Sequence, residues 1–201
     1  MKLRYFSFLL LLFACQPAGA ADRAEVILEQ LSAGFRTMKS YGVQFEVVAG
    51  EYTTKGSYSV EGENYNILLG DAEVFCDGKV RYEVDKRRKE ITINEVDASS
   101  RNILNNPVHA FDFLGSEFAA ALLWERDGKA AVRLIPTASN NASAGEITVT
   151  VSTAAMLPVA IEYNYDGERI VVTVASVASL SAALKHFNKA NYVGYEWIDF
   201  R

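Results

Sequence analysis

The N-terminal part of the chain has apolar residues at the spacing of a helix. Steps of three and four residues place one stripe on a single helical face. This stripe consists of Ala24, Leu28, Leu31, Phe35 and Met38. Asp22 and Glu25 stand in the spacing of a capping box at its start. The pattern predicts one helix that begins near Asp22 and packs on another layer.

From Tyr41 onward, apolar and polar residues alternate, as in half-buried strands. Two Asp-Gly pairs, Asp77-Gly78 and Asp166-Gly167, lie between alternating runs and are typical of β-hairpin turns. We count about nine to eleven strands in meander order. So large an antiparallel sheet must curl or be covered by helices. The predicted fold is α+β and mostly β: an unclosed antiparallel β-barrel, or half-barrel, with an N-terminal helix.

The alternation stops after Asn105, and helical spacing returns. Pro107 stands where a helix could begin. Steps of three and four connect Phe111, Leu114, Phe118 and Leu122. This region predicts short lid helices over residues 106–123, whose apolar stripe covers the open side of the sheet.

The strands themselves predict an apolar cavity. Alternation places members of each strand on one face, and we take the apolar face as the inner one. The residues expected to line the cavity are Phe45, Val47, Tyr58, Tyr82, Ile91, Ile93, Val149, Ile161 and Tyr163. Each of them taken alone fits an ordinary core. One helix gives little cover for so many inward aromatic residues, however, and barrel-like sheets often bind apolar ligands in the mouth.

The first residues have the pattern of an export signal. Lys2 and Arg4 precede an apolar run that is too short to cross a bilayer, and the small-x-small site Ala18-Gly19-Ala20 follows. We therefore expect a signal peptide over residues 1–21, a single domain over residues 22–201 and a periplasmic location.

A lipoprotein signal that is lipidated at Cys15 is the alternative for this leader, and the bulky Phe13 disfavours it. Loss of the two leader cations changes the net charge from −5 to −7. No basic cluster indicates nucleic acid. Cys76 lies in an apolar strand pattern, so burial is expected for this thiol.

Motifs for catalysis are absent from the sequence. It has no G-x-S-x-G elbow, H-E-x-x-H pair, P-loop or G-x-G-x-x-G turn. Neither His109 nor His186 has the context of a catalytic base. Asp71 and Glu73 could be paired carboxylates, as in a glycosidase, but acids at a strand end are more often exposed. We expect no enzyme, no metal and no cofactor.

The short motifs of the chain, in their order and spacing, resemble the LolA family of periplasmic outer-membrane lipoprotein carriers, in particular its LolA-like Bacteroidetes branch. The likeness covers nearly the whole mature chain. It rests on Ile27-Leu28, Met38-Lys39-Ser40-Tyr41, Phe45, Lys55-Gly56-Ser57-Tyr58, Phe75-Cys76-Asp77-Gly78-Lys79, Tyr82, Asn105-Asn106-Pro107, Leu134-Ile135-Pro136 and Glu196-Trp197-Ile198-Asp199-Phe200-Arg201.

This resemblance implies an unclosed barrel with a helical lid that binds the acyl chains of lipoproteins. The implied partners are acylated lipoproteins, an inner-membrane ABC-type release complex and an unidentified outer-membrane acceptor, and we expect a monomer. Family members carry an Arg-Pro after the second strand, and its Arg holds the lid closed. Here Val60-Glu61-Gly62-Glu63-Asn64 stands in that place, so closure is expected to rest mainly on hydrophobic contact.

A sensor or scaffold of the same fold is the alternative function. Such a protein would bind a lipid or a regulatory protein without transporting it. The sequence offers no second domain or membrane span after the leader, which favours a freely diffusing carrier.

Overall fold

The computed structural model describes residues 18–112, 117–137, 145–165 and 167–201. These residues form one α-helix, α1 (Ala18–Thr37), and a short 3₁₀ turn (Lys189–Asn191). The strands are β1 (Ser40–Ala49), β2 (Tyr52–Glu61), β3 (Asn64–Leu69), β4 (Ala72–Cys76), β5 (Val80–Asp85), β6 (Glu90–Glu95), β7 (Phe118–Arg126), β8 (Lys129–Pro136), β9 (Glu146–Ser152), β10 (Leu157–Tyr165), β11 (Glu168–Ser179) and β12 (Glu196–Asp199). Most of the expected export signal, including Cys15, lies outside these residues. In the described ranges, no helix has the length and apolar character that a membrane crossing requires.

Helix α1 begins at Ala18, four residues before the predicted start at Asp22. Alanine has the highest intrinsic helix propensity, so the small residues before Asp22 continue the helix. Asp22 therefore lies inside the helix and not at its start. The predicted apolar stripe is confirmed, because Ala24, Leu28, Leu31 and Phe35 are all buried.

All twelve strands belong to one sheet in the order β12-β6-β5-β4-β3-β2-β1-β11-β10-β9-β8-β7. Strands β1–β6 and β7–β11 are two meanders, joined where β1 pairs with β11. The end strands β7 and β12 do not pair with each other, so the sheet is not closed. The predicted fold class is confirmed in this unclosed, mostly antiparallel sheet. Among the strands of the described ranges, β12 alone pairs in parallel, with β6.

The two predicted hairpins are also present. Strand β4 pairs with β5 across the first turn, and β10 pairs with β11 across the second. Gly78 and Gly167 have φ of 85° and 81°, which a residue without Cβ adopts at no steric cost. The Asp77 carboxylate accepts hydrogen bonds from the backbone of Lys79 and Val80. This geometry explains why both turns could be read from the sequence.

One face of the sheet, which we call the inner face, packs against α1. The helix contacts β7 and β10, so the sheet curls around it. Cys76 is buried in this core, as predicted. The main sheet residues of the inner core are Tyr41, Val43, Phe45, Val47, Tyr58, Val60, Tyr65, Ile67, Val74, Cys76, Val132, Leu134, Ile147, Val149, Val151, Ile161, Tyr163 and Val172.

A second apolar cluster lies on the opposite, outer face of β4–β6. Successive strand residues point to opposite faces, so Phe75 faces outward where Cys76 faces inward. Tyr82 and Ile93 share the face of Phe75 because the three residues pair across β4, β5 and β6. The prediction that Tyr82, Ile91 and Ile93 line the inner cavity is therefore wrong. Period-two alternation shows which residues share a face, but it does not show which face is inner.

The chain after β11, residues 180–195, covers this outer cluster; we call it the C-terminal segment. Phe187 stacks on Tyr82 with ring centroids 4.1 Å apart and on Tyr192 at 5.4 Å. Phe75 and Trp197 contact Phe187 edge-on. The outer cluster is therefore a small aromatic core, closed by a segment distant in sequence.

Glu73 belongs to this outer core, and its predicted exposure is wrong: only 1% of the residue is accessible. Its carboxylate accepts hydrogen bonds from Lys185 of the C-terminal segment at 2.5 Å and forms an ion pair with Lys86 at 3.0 Å. Burial acts to raise the pKa of Glu73, but the two ammonium groups outweigh it, so the pKa lies below the ordinary value of 4.5.

We expect Glu73→Gln to lower the free energy of unfolding by about 1–2 kcal/mol at neutral pH, because a charge-assisted hydrogen bond is lost. A lowered pKa stabilises the fold above pH 4.5 and loses that contribution as pH falls through the pKa of the folded state. Urea unfolding should therefore separate wild type from variant at neutral pH, and the difference should vanish in acid. The control is Asp71→Asn, which breaks an exposed pair with Arg87 and should cost at most about 0.5 kcal/mol. A pH-independent difference would contradict the assignment.

The predicted lid helices do not form in the described part of residues 106–123. Residues 101–112 contain turns, and Phe118–Arg126 is strand β7. Phe118 and Leu122 are four residues apart in the sequence. This spacing places two residues on one face of a helix and also on one face of a strand, so the pattern does not distinguish the two structures. The remaining stripe residue, Leu114, lies outside the described residues.

Candidate functional site

The inner face brings six of the predicted cavity residues together. These residues are Phe45, Val47, Tyr58, Val149, Ile161 and Tyr163, all of them buried. Phe45 also lines a cavity at the edge of the core, whereas α1 and residues 101–112 pack over the inner face on which the others lie. We call residues 101–112 the cover segment. Their role in binding a ligand stays a prediction.

Three apolar side chains of the cover segment fill the space between α1 and the sheet. Ile103, Ala110 and Phe111 are all buried in the inner core. The ring of Phe111 stacks on Phe35 of α1 with centroids 4.2 Å apart. Since the backbone hydrogen bonds within the segment close only single turns, as from Asn106 to Asn102, these contacts and its polar contacts to the barrel keep it in place.

Side chains of the barrel donate hydrogen bonds to backbone carbonyls of the cover segment. The Tyr65 hydroxyl donates to the carbonyl of Asn105 at 2.9 Å. The Arg81 guanidinium donates to the carbonyl of Leu104 at 3.3 Å. Closure by the cover segment therefore involves hydrogen bonds in addition to the expected hydrophobic contacts.

Further contacts connect the two ends of the cover segment. The Tyr163 hydroxyl accepts a hydrogen bond from the amide of Ile103 at 3.0 Å. Ser32 of α1 donates to the carbonyl of Phe111. Arg101 donates to the carbonyl of Asp112 at 2.9 Å. The segment thus contacts α1, both meanders of the sheet and itself.

A cavity of about 330 Å³ opens between the end of α1, the start of β1 and the cover segment. We call this cavity the mouth. Its volume lies at the lower end of the range for small-molecule sites. Its apolar lining is Phe35, Met38, Tyr41, Val60, Val108 and Phe111, and its charged or titratable lining is Arg36, Lys39, Glu63, His109 and Asp112.

The rim of the mouth is connected by charged side chains. His109 Nδ1 lies 2.9 Å from Asp112 Oδ2, and His109 Nε2 lies 3.6 Å from Glu63 Oε2 in the β2–β3 turn. Arg36 of α1 pairs with Asp112 at 3.2 Å. These pairs are half-exposed, so each contributes little to stability. Together they fix the cover segment to α1 and to the β2–β3 turn.

The hydroxyl groups under the cover segment stay protonated at physiological pH. Burial is the main reason that the pKa values of Tyr41, Tyr58, Tyr65 and Tyr163 lie well above their ordinary value. Each hydroxyl is therefore a neutral hydrogen-bond donor. A row of such donors in an apolar wall suits carbonyl oxygens better than a charged ligand.

Two other predicted lid residues lie in a strand and not in a helix. Phe118 is buried in the inner core, and Leu122 is partly buried against it, both from β7. Three residues that contact the cover segment were not predicted as site residues: Tyr41, Tyr65 and Arg81. The tyrosines alternate in phase with the predicted inner residues, which is the signal that could have found them. No pattern marks Arg81, because it is a polar residue on the inner face of β5.

A larger cavity, about 640 Å³, lies mainly on the outer face, away from the cover segment. Its lining consists mainly of the polar side chains Gln44, Glu46, Lys55, Ser57 and Thr173 of β1, β2 and β11, together with the apolar residues Phe45, Leu68 and Ala175. No group of three or more His, Cys, Asp or Glu side chains in the described ranges could hold a metal ion. The mouth and the inner face beneath it are therefore the candidate site.

Comparison with known proteins shows a shared fold. No protein-family profile and no curated protein matches the chain. An uncharacterized conserved protein from Thermus thermophilus is 8% identical with a TM-score of 0.54, covering 88% of this chain and 99% of its own. A LolA superfamily protein from Nitrosomonas europaea is 11% identical with a TM-score of 0.40, covering 85% of this chain and 97% of its own. MucB is 12% identical with a TM-score of 0.49, covering 88% of this chain and 66% of its own. Since the last two TM-scores are below 0.5, the fold similarity rests on the Thermus thermophilus structure.

Proposed function

We propose that the protein is a cell-envelope protein that binds the acyl chains of a lipid or lipoprotein between its inner face and the cover segment. The observation that carries this proposal is the cover segment itself. It is an irregular stretch held by hydrogen bonds to its carbonyls, and it lies over a continuous apolar wall of the sheet. Its displacement would uncover that wall without breaking any strand pairing.

The energetics favour acyl chains as the occupant. Ile103, Ala110 and Phe111 are the side chains that an incoming chain would replace. Each methylene that moves from water into the core stabilises the complex by about 0.8 kcal/mol. Two or three acyl chains therefore provide enough free energy to displace a segment that has no regular structure.

The mouth offers a starting point for this exchange. Its apolar lining ends at Phe35 and Phe111, whose stacked rings separate the mouth from the inner core. The charged rim would remain with the polar part of the ligand at the surface. A chain that enters here meets the end of the cover segment first.

The proposed transport role, its partners and the periplasmic location rest on the sequence resemblance to the LolA family. On that basis we propose a periplasmic carrier with a signal peptide over residues 1–21, which accepts lipoproteins from an inner-membrane ABC-type complex and delivers them to the outer membrane. A sensor or scaffold that binds lipid or a regulatory protein is the second candidate. The filled inner face favours this candidate, because the mouth beside the cover segment has a volume of about 330 Å³, which is small for several acyl chains.

Native mass spectrometry of protein purified from its own envelope without detergent tests the proposal. We expect a fraction with added mass equal to a lipid or lipoprotein. Val108→Trp, which narrows the mouth, should reduce this fraction, whereas Val48→Trp, at an exposed site on β1, should not. Bound lipoprotein supports the carrier, and lipid together with a bound regulatory protein supports the sensor. Protein without any added mass would contradict acyl binding.

A further inference from the structure

Tyr58 is the most unusual polar residue of the inner core. Only 1% of the residue is accessible, and its hydroxyl has no hydrogen-bond partner among the described residues. A buried donor without a partner destabilises the folded state. Such groups are rare in folded proteins, and each requires an explanation. The hydroxyl could be removed by phenylalanine, which has the same ring, so packing alone does not require it.

The register of the sheet places Tyr58 one row deeper than the mouth. Tyr41, Val60 and Tyr65 are cross-strand partners on β1, β2 and β3, and they form the row at the mouth. Tyr58 pairs with Val43 and Ile67 in the next row of the same face. Neighbouring rows are two residues apart along each strand, which is a distance of about 7 Å.

The neighbouring hydroxyls do have partners, and these belong to the cover segment. Tyr65 donates to the carbonyl of Asn105, and Tyr41 donates to the carbonyl of Pro107 at the longer distance of 3.4 Å. Displacement of the segment would remove both acceptors. Three tyrosine hydroxyls, including that of Tyr58, would then face the ligand without an acceptor.

We propose that the Tyr58 hydroxyl donates a hydrogen bond to a carbonyl oxygen of the bound ligand, so that the site selects chains attached through an ester or amide over alkyl chains without a carbonyl. This inference rests on the proposed function. In the empty protein, backbone carbonyls of the cover segment satisfy Tyr41 and Tyr65. In the complex, the carbonyls at the head of the acyl chains take their place, and Tyr58 gains the acceptor that it lacks.

The row of Tyr58 is a suitable depth for this contact. A chain that enters at the mouth with its polar part outside places its first carbon atoms at the rows of Tyr41 and Tyr58. The methylenes that follow reach the row of Phe45, which pairs with Gly56, and then Val47. A carbonyl at the head of the chain is thus level with the hydroxyls, and the tail lies among apolar side chains.

The test compares two lipids that differ only in their carbonyls. Isothermal titration calorimetry measures binding of a short-chain diacyl phosphatidylcholine and of its dialkyl ether analogue, both below their critical micelle concentrations. We expect wild type to bind the diacyl lipid at least about tenfold more tightly, which is the effect of one hydrogen bond. Tyr58→Phe should bind the diacyl lipid about tenfold more weakly than wild type and the ether lipid with unchanged affinity, and its melting temperature without ligand should be unchanged or higher.

Tyr52→Phe is the matched control, because Tyr52 is 83% exposed on the same strand and its removal should leave the preference intact. Equal binding of both lipids by wild type would overturn this inference but not the proposed function. A preference of the same size in Tyr58→Phe as in wild type would overturn the role of Tyr58. Absence of binding by either lipid would overturn both proposals.

Discussion

Replacing Phe187 by alanine is expected to lower the free energy of unfolding by about 3 kcal/mol, the lower end for the loss of a packed aromatic side chain. Phe187 stands between the rings of Tyr82 and Tyr192 and contacts Phe75 and Trp197. Aromatic pairs contribute beyond the area they bury. The loss should therefore exceed what a half-buried phenylalanine would give alone. Urea unfolding followed by circular dichroism measures it.

The same variant should release the C-terminal segment from the outer face. Lys185 and Lys189 lie in this segment, so limited trypsin digestion should cleave there faster than in wild type. Phe200→Ala is the control: Phe200 is 69% exposed, and its loss should change stability by at most about 0.5 kcal/mol. An unfolding free energy and a digestion rate equal to those of wild type would show that the outer aromatic cluster does not hold the segment.

Replacing Phe111 by aspartate is expected to displace the cover segment. Phe111 is buried against Phe35, and a carboxylate at this position would be desolvated. The free energy of unfolding should fall by at least about 3 kcal/mol, as for the loss of a buried phenylalanine. Since the segment has no regular structure, it can leave while the sheet stays paired. Far-UV circular dichroism should therefore change little.

Two binding measurements follow from this displacement. A fluorescent hydrophobic probe should bind more strongly to Phe111→Asp, because the inner wall is uncovered. The apparent affinity for a diacyl lipid should also rise, since the competing occupant is removed and the binding-competent fraction increases. Phe111→Leu is the control, as it conserves most of the volume and should cost less than about 1.5 kcal/mol. Unchanged probe and lipid binding by Phe111→Asp would contradict the assigned role of the segment.

Local patterns account for what the sequence predicted correctly. The stripe from Ala24 to Phe35 and the turns at Gly78 and Gly167 depend on neighbours within a few residues. The burial of Cys76 follows from its strand in the same way. Alternation also identified the shared face of Phe45, Tyr58 and their partners.

Long-range packing explains what the sequence did not predict. Tyr82, Ile91 and Ile93 face outward because the C-terminal segment, about a hundred residues later in the chain, covers the outer face of β4–β6. Glu73 is buried for the same reason, through Lys185. No local pattern indicates this partner. The inner position of Arg81 likewise depends on the carbonyl of Leu104, which only the folded chain brings close.

Displacement of the cover segment by acyl chains is the central claim, and hydrogen exchange measures it most directly. The amide of Ile103 donates to Tyr163 in the inner core, so it should exchange slowly in the empty protein. Mass spectrometry should show faster exchange across residues 101–112 when a triacylated lipopeptide is bound, while the amides of β9 stay protected. Bound lipopeptide with unchanged or slower exchange in the cover segment would contradict the claim.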